Sequence, residues 1–195
     1  MSRRKWLLLI TALLALWYAF CLPQPLFRDP VCYVLEDRDG ELLGARIAAD
    51  GQWRFPKIDS VPAKFREAIV AFEDKRFFSH PGVDVLSIGR AVLQNIRAGK
   101  VVSGGSTLSM QVIRLARKGK PRNLYEKGVE AVWATRLELR HSKEGILQLY
   151  TSHAPFGGNV VGLEAAAWRY FGKGPEQLSW GEAAMLAVLP NSPGL

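Results

Sequence analysis

An unbroken apolar segment near the start of the chain gives way to shorter patterns with β and helical periodicity. Residues 6–22 are apolar except for Thr11 and Tyr18, and three consecutive bases precede them at 3–5. A helix of this length rises about 26 Å, which matches the short end of a bilayer core. Bases beside such a segment remain in the cytoplasm. The pattern predicts a cytoplasmic tip at 1–5, one transmembrane helix at 6–22 and an extracytoplasmic remainder.

The end of the apolar segment distinguishes an uncleaved anchor from a cleaved signal peptide. Cleavage sites carry small residues at the −3 and −1 positions, whereas this segment ends on large and aromatic residues that include Trp17 and Phe20. An uncleaved signal-anchor is therefore favoured over a cleaved signal. A lipid-modified Cys21 is a weaker alternative, because Phe20 stands where a small residue is expected.

Residues 23–60 are predicted to form a linker and a short β-hairpin. The linker at 23–30 is rich in proline. Two apolar stretches within 31–47 then flank the pair Asp39-Gly40, and such a pair is typical of a tight hairpin turn.

Helical periodicity dominates residues 61–195, which we predict to be one mainly α domain. The first helix has Ser60 as its expected N-cap and an apolar stripe with i, i+3, i+4 and i+7 spacing, formed by Phe65, Ala68, Ile69 and Phe72. On a helical wheel Glu73 lies about 80° from Phe65, and Asp74 lies about 180° away. Glu73 is therefore expected to line a cleft edge, and Asp74 to cap or pair locally.

The segment at 83–102 has two interpretations. It combines regularly spaced apolar residues with Arg90, Arg97 and Lys100. Such a surface can dip into the headgroup region of a membrane, and an ordinary core helix would show the same apolar spacing. The sequence leaves both interpretations open.

A glycine-rich turn at 104–107 opens the next predicted helix. Free amides at such a helix start attract anions, although many helices begin this way with nothing bound. Leu108, Val112 and Leu115 are expected to form the core stripe of this helix, with Gln111 on its flank.

Another helix is predicted after Arg122. Asn123 and Glu126 have the spacing of a capping box, and Lys127 and Glu130 share one helix face. The expected core face consists of the apolar residues Leu124, Val129, Val132, Trp133 and Leu137.

The positive charge of the chain is concentrated in one region. The formal net charge is +8, and residues 85–125 contain eight bases and no Asp or Glu. Such a stretch suits anionic lipid or nucleic acid, but an exported domain rarely meets nucleic acid. An anionic, membrane-bound substrate therefore fits best. With only Cys21 and Cys32 in the chain, neither a structural disulfide nor a metal-ligand spacing is predicted.

Five ordered motifs resemble those of the peptidoglycan glycosyltransferases, glycosyltransferase family 51, which form the polymerase half of class A penicillin-binding proteins. The motifs are Glu73–Gly82, Gly104–Gln111, Arg122–Glu130, a fourth that begins at Ile146, and Leu178–Pro190. Residues 154–173 are similar to the penicillin-binding protein 1C branch in particular. Four positions depart from the usual family residues, namely Met110, Glu126, Gln148 and Ser152.

The resemblance implies roles for individual residues. Glu73 would be the catalytic base, and Glu130 a second functional carboxylate that orients Lys127 or a divalent metal rather than acting as a general acid. His80 would hold the turn after the base. Substrate binding is assigned to Asp74, His80, Gly104, Gly105, Ser106, Thr107, Gln111, Arg114, Arg122 and Lys127, and the metal ligands stay unidentified.

The resemblance also implies a fold and an activity. We expect a lysozyme-like domain at 61–195 that polymerises lipid II into β-1,4-linked glycan with inversion, releases undecaprenyl diphosphate and uses Mg²⁺ or Mn²⁺. Its expected partners are lipid II, the growing glycan strand, membrane lipid and cell-wall synthesis proteins, but not nucleic acid. The expected location is the bacterial inner membrane, with the catalytic domain in the periplasm.

Two other functions stay open. A lytic transglycosylase or lysozyme-like hydrolase would also use a lone glutamate, and a truncated, inactive chain could serve as a membrane-anchored scaffold. The only Ser-x-x-Lys spacing joins Ser2 to Lys5, so no transpeptidase nucleophile is expected in this chain. Its end shortly after the fifth motif predicts a glycosyltransferase domain that is truncated at its C-terminal end.

Overall fold

The computed structural model describes residues 3–118, 120–121 and 123–191, and this part of the chain is mainly helical, as predicted. Its α-helices are α1 (Arg3–Phe20), α2 (Ala63–Glu73), α3 (Val85–Ala98), α4 (Leu108–Ala116), α5 (Leu124–Glu138), α6 (Lys143–His153), α7 (Leu163–Phe171) and α8 (Trp180–Val188). The strands are β1 (Tyr33–Glu36), β2 (Leu42–Arg46), β3 (Trp53–Arg54) and β4 (Val160–Val161). Single 3₁₀ turns occur at Phe77–Ser79, Pro175–Gln177 and Leu189–Asn191.

The predicted hairpin is confirmed. Strands β1 and β2 pair antiparallel, with Tyr33 opposite Arg46 and an irregularity after Leu35. At the turn, the Asp37 carboxylate accepts hydrogen bonds from two backbone amides, and Gly40 adopts a φ of 82° that favours glycine. A second, parallel pair joins β3 to β4 and thereby fastens the segment after the hairpin to the domain.

Helix α1 lies on the outside of the molecule. Within the described residues 3–20 none is buried. The helix is attached near its end, where the hydroxyls of Tyr18 and Thr135 lie 2.9 Å apart and Arg136 donates to the carbonyl of Ala19. None of the helices in the described part of the chain is both long and apolar enough to cross a membrane. The predicted transmembrane helix at 6–22 is therefore not confirmed.

The core forms where α2 packs on α8 and where α4 packs on α5 and α6. Phe65 and Ile69 of the predicted α2 stripe are fully buried, but Phe72 is 51% exposed and borders an open cleft. The prediction of Ser60 as N-cap is wrong. Helix α2 begins after Pro62, whose ring fixes φ near the helical value, and no side chain caps this end.

Helix α3 exposes its apolar residues. Val85, Leu86 and Ile96 are each at least 70% exposed, and Ala91 is the one buried residue of this described helix. The interpretation of 83–102 as an ordinary core helix is therefore wrong. The helix is fixed at its start, where Asp84 accepts hydrogen bonds from the backbone N–H and hydroxyl of Ser87 and pairs with the guanidinium of Arg76.

The prediction for the buried face of α5 is also wrong in part. Leu124 is 89% exposed and Val132 is 41% exposed, whereas Glu126 and Glu130 are buried. The physical reason is that two arginines face this side of α5, Arg114 in α4 and Arg117 directly after it, and each pairs with one of the glutamates. The ion pairs occupy an interface that apolar periodicity alone would fill with hydrophobic side chains.

Candidate active site

An open cleft of about 680 Å³ lies between the end of α2, one side of α4, the first half of α5, and the turn after α8. Its lining includes seven residues selected from the sequence, namely Glu73, Gly104, Ser106, Gln111, Arg114, Lys127 and Glu130. Four others lie outside the lining: Asp74, His80, Gly105 and Thr107. Arg122 lies outside the described residues.

Glu73 is the last residue of α2, and two carboxamides hold its carboxylate. The Nε2 of Gln111 donates to Oε2 at 2.7 Å, and the Nδ2 of Asn191 donates to Oε1. The side chain is only partly buried and borders the cleft. Both donors are neutral amides, so they fix the direction of the carboxylate without neutralising its charge.

Glu130 faces the cleft as one half of an ion pair. The Nε and Nη2 of Arg114 donate to its two carboxylate oxygens at 2.9 and 2.8 Å. Arg114 also donates to the hydroxyl of Ser106 at 3.3 Å. Hydrogen bonding to Glu130 raises the pKa of Arg114, and the negative charges of Glu130 and Glu73 add to this effect against the opposing effect of burial. The arginine is therefore a permanent cation in the cleft wall.

The expected pairing of Glu130 with Lys127 is wrong. Glu130 points inward to Arg114, while Lys127 is exposed on the rim of the cleft. Within the described ranges Lys127 has no ion-pair partner. Its ammonium group can therefore contact an anion in the cleft without first breaking a bond to the protein.

A second ion pair lies beside the first. The Nη2 of Arg117 donates to the Oε2 of Glu126 at 2.6 Å. The guanidinium carbon of Arg117 lies 4.4 Å from the centre of the Trp133 ring. Glu126, one of the positions that departs from the family pattern, thus joins α5 to α4. Asn123 caps α5 through the amide of Glu126, but the carboxylate of Glu126 is turned toward Arg117, so only half of the expected capping box forms.

Asp74 and His80 form a buried pair behind the cleft. The carboxylate of Asp74 accepts from His80 Nε2 at 3.0 Å and from the backbone amide of Leu108, the first residue of α4, at 3.0 Å. The amide of Gly82 donates to His80 Nδ1, so the imidazole proton lies on Nε2. Asp74 therefore joins the first motif to the start of α4 and does not face the cleft.

Two of the backbone amides at the start of α4, which could have attracted an anion, are bound by the protein itself. The amide of Leu108 donates to Asp74, and the amide of Met110 donates to the hydroxyl of Thr107, which itself donates to the carbonyl of Gly82. The protein's own side chains thus take up these two helix amides. Gly105 is needed for space, because a Cβ there would lie 2.8 Å from the Cα of Ile88, whereas Gly104 has free space.

Two residues near the base were not selected from the sequence. Asn191 contacts Glu73 across 118 positions, and its only sequence signal is a carboxamide directly after the fifth motif. Tyr150 is fully buried, and its hydroxyl has no hydrogen-bond partner within the described residues. Burial raises its pKa, the charge of Glu73 raises it further, and Arg114 partly offsets the shift. Tyr150 therefore stays neutral beside the base.

The carboxylates of the cleft do not form a ready metal site. No three His, Cys, Asp or Glu side chains converge among residues 3–118, 120–121 and 123–191. Both oxygens of Glu130 are engaged by Arg114, and both oxygens of Glu73 accept from carboxamides. The residues present therefore do not fit a divalent ion held by the protein alone.

Sequence comparison gives the same family over most of the chain. The family described as Transglycosylase matches residues 39–195. The chain is 44% identical to penicillin-binding protein 1C of Escherichia coli strain K12, in an alignment that covers 98% of this chain and 26% of that protein. It is 40% identical to penicillin-binding protein 1A of Neisseria flavescens, over 80% of this chain and 19% of that protein.

A third relative shows the same relationship. The chain is 39% identical to penicillin-binding protein 1F of Bacillus subtilis strain 168, over 70% of this chain and 19% of that protein. The chain thus spans about a quarter or less of the length of these curated relatives.

Proposed function

Since the chain belongs to the transglycosylase family, we propose that it is a peptidoglycan glycosyltransferase that elongates glycan strands from lipid II. The observation that carries the proposal is the cleft, in which a directed carboxylate, Glu73, faces a wall that holds Arg114 and the exposed Lys127. A sugar hydroxyl and a lipid-linked diphosphate need these two kinds of group, one base and one set of cations.

Glu73 is the base in this mechanism. The acceptor's 4-hydroxyl attacks the anomeric carbon of the donor, its proton passes to the Glu73 carboxylate, and the bond from that carbon to the diphosphate oxygen breaks with inversion. Gln111 and Asn191 hold the carboxylate in one direction before the acceptor arrives. A base positioned in advance saves the cost of ordering it in the transition state.

The cations act on the leaving group. The diphosphate departs as an anion and needs no proton, so charge stabilisation is the main requirement. Lys127 is free to contact it from the rim, while Arg114 is held by Glu130 within the wall. Glu130 therefore acts as a positioning residue for Arg114. Arg122 is proposed as a further contact on the resemblance alone.

Assistance by Mg²⁺ or Mn²⁺ stays a proposal from the family resemblance. The cleft carboxylates are engaged by protein groups, so an ion that assists the reaction would have to arrive with the diphosphate of the substrate. The diphosphate oxygens are hard ligands of the type that such ions prefer.

We place the reaction at the bacterial inner membrane. Helix α1 and helix α3 both carry exposed apolar side chains, and α3 adds Arg90 and Arg97. Apolar residues next to bases favour contact with an anionic lipid surface. Attachment through α1, with the cleft on the periplasmic side, brings the site to a substrate whose tail lies in the bilayer.

Incubation with lipid II in detergent tests this function. Longer glycan on a gel is the expected product, and it should be absent for Glu73→Gln. Glu67→Gln is the matched control, because Glu67 lies on the same helix but is exposed outside the cleft. Shortened glycan from a preformed strand would instead identify a hydrolase, and no change in either substrate would identify a scaffold.

A further inference from the structure

A second cavity, which we call the linker cavity, lies apart from the catalytic cleft, at the ends of α5 and α6. Its volume is about 400 Å³, and it forms where the linker directly after α1 folds against the ends of α5 and α6. Apolar side chains make up much of its wall, including Leu22, Leu26, Leu137 and Leu149. None of its lining residues belongs to the catalytic cleft.

One side of the linker cavity is positively charged. Lys57, Arg140 and His141 line it together. Burial lowers the pKa of His141, and the charges of Arg140 and Lys57 lower it further. Lys57 and Arg140 therefore place their positive charges on the same side of the cavity. Asp29 is the one carboxylate among the described lining residues, and Lys118 neutralises it at 2.6 Å.

Buried polar groups of the same wall lack partners. Arg54 and Ser152 line the linker cavity and are 3% and 8% exposed. Arg54 donates through Nη1 to the carbonyl of Pro30 and to Asp50, but its Nε and the Ser152 Oγ have no hydrogen-bond partner in the described structure. Unsatisfied buried donors are costly and point to a missing acceptor. Ser152 is also a position where the family pattern expects asparagine, and that departure has no role in the catalytic cleft.

We propose that the linker cavity binds one anionic phospholipid. The headgroup phosphate would lie against Lys57 and Arg140, and one acyl chain would lie among Leu26, Leu137 and Leu149. A phosphate group accepts hydrogen bonds, and its negative charge is attracted by the two cations of the cavity wall. The choice of a lipid over a soluble anion rests on the proposed membrane location, since the lining of the cavity includes Leu22 and Pro23, which lie within three residues of the end of α1.

Native mass spectrometry of the full chain in detergent tests the proposal with defined probes. We expect one lysophosphatidylglycerol to stay bound per chain, in preference to lysophosphatidylcholine. The double variant Lys57→Glu/Arg140→Glu should weaken this binding by at least about tenfold, given the usual contribution of a base near an anionic lipid surface. Both side chains are exposed, so the fold should persist.

Two further variants make the result specific. Leu149→Trp should fill the apolar part of the cavity and also release the lipid, whereas Arg169→Glu, an exposed base outside the cavity, should leave binding unchanged. Equal retention of the two lipids, or retention by the double variant, would overturn the proposal. So would displacement of the lipid by millimolar inorganic phosphate, which would identify a site for a free anion. Polymerisation is not measured, so this result is independent of the proposed enzymatic function.

Discussion

Glu73 and Asp74 are neighbours in sequence with opposite surroundings. The carboxylate of Glu73 borders the cleft and accepts from two carboxamides, while that of Asp74 is buried against His80 and the start of α4. Two adjacent carboxylates thus differ in role, because Glu73 can contact substrate and Asp74 fixes the start of α4. Substitutions at the two positions should therefore produce different kinds of defect.

The substitution Glu73→Gln should lower polymerisation by about 10²-fold or more, the usual contribution of a positioned base. Unfolding should be little changed, because glutamine keeps the size of the side chain. Asp74→Asn should instead cost about 1–3 kcal/mol of stability, the penalty for weakening a buried charged hydrogen bond, with a smaller loss of rate. Glycan synthesis and denaturant unfolding of both variants check this, and an inactive Asp74→Asn beside an active Glu73→Gln would contradict the assignment.

The carboxamide of Asn191 should matter for rate and not for folding. Asn191→Ala leaves Glu73 with Gln111 as its remaining donor, so we expect the kcat of polymerisation to fall about fivefold, equivalent to roughly 1 kcal/mol for one hydrogen bond. The KM for lipid II should stay unchanged, and Asn191→Gln should restore part of the rate. Gln177→Ala is the matched control, because it removes another exposed carboxamide–glutamate bond, to Glu41.

Replacement of Lys127 by alanine should affect the stability of the protein differently from replacement of Arg114. Lys127→Ala should weaken use of the donor by about 1.5–3 kcal/mol, the value of a charged hydrogen bond, without loss of stability. Arg114→Ala also leaves Glu130 as an unpaired buried charge, a change that typically costs about 3–5 kcal/mol of folding free energy. Steady-state kinetics together with thermal unfolding separate these effects. Equal destabilisation by both variants would show that Lys127 has a structural partner.

At the scale of elements, the start of α3 depends on one ionised carboxyl. Burial raises the pKa of Asp84, but hydrogen bonds from Ser87 and Arg76 outweigh it and hold the pKa below its usual range. A carboxyl group whose pKa is lower in the folded state than in the unfolded chain, where it is about 3.9, stabilises the fold above that pH. This contribution to stability is lost as the pH falls below about 3.9. The stability of the start of α3 should therefore decrease at acid pH, where Asp84 loses its charge.

We expect Asp84→Asn to be less stable than the parent chain at pH 7, with a difference that shrinks as pH falls below about 4. Urea unfolding at pH 7, 5 and 3 measures this difference. Asp39→Asn, in the exposed hairpin turn, is the control and should follow the parent chain at each pH. A difference that is constant with pH would mean that the Asp84 charge does not contribute.

The sequence predicts elements better than it predicts their contacts. The Asp39-Gly40 turn and the Phe65–Ile69 stripe depend on neighbouring residues, so local patterns were sufficient for both. The buried face of α5 was predicted wrongly because Glu126 and Glu130 are charged residues, and the arginines that neutralise them lie elsewhere in the chain, in α4 and directly after it. Apolar periodicity contains no information about a partner on a different element.

The same limit applies to the site. The spacing of the motifs identified most of the cleft lining, but the capture of the Leu108 amide by Asp74 and the contact of Asn191 with Glu73 join positions far apart in the chain. Such contacts depend on how α2 packs against α8 and on how the end of α2 meets the start of α4. A single sequence specifies which residues can form these bonds and leaves the choice of partner to the tertiary structure.

For the whole molecule, the exposed apolar face of α3 should govern contact with membranes. The double variant Leu86→Glu/Ile96→Glu adds two negative charges to side chains that are 70% and 72% exposed. It should reduce co-sedimentation with vesicles rich in phosphatidylglycerol and leave the unfolding midpoint unchanged, since neither side chain is in the core. Leu43→Glu, at a 65% exposed leucine of the hairpin, is the control. Unchanged vesicle binding of the α3 variant would show that α3 does not face the lipid.

The two carboxamides on Glu73 also affect how the site returns to its starting state. Every bond made by the proposed mechanism delivers one proton to Glu73, and Gln111 and Asn191 have no titratable group that could accept it. His80 is held behind Asp74, so it offers no direct relay. The proton must therefore leave through water in the open cleft before the next sugar is added. The rate of strand growth thus depends on solvent reaching Glu73 between additions, as well as on the chemical step.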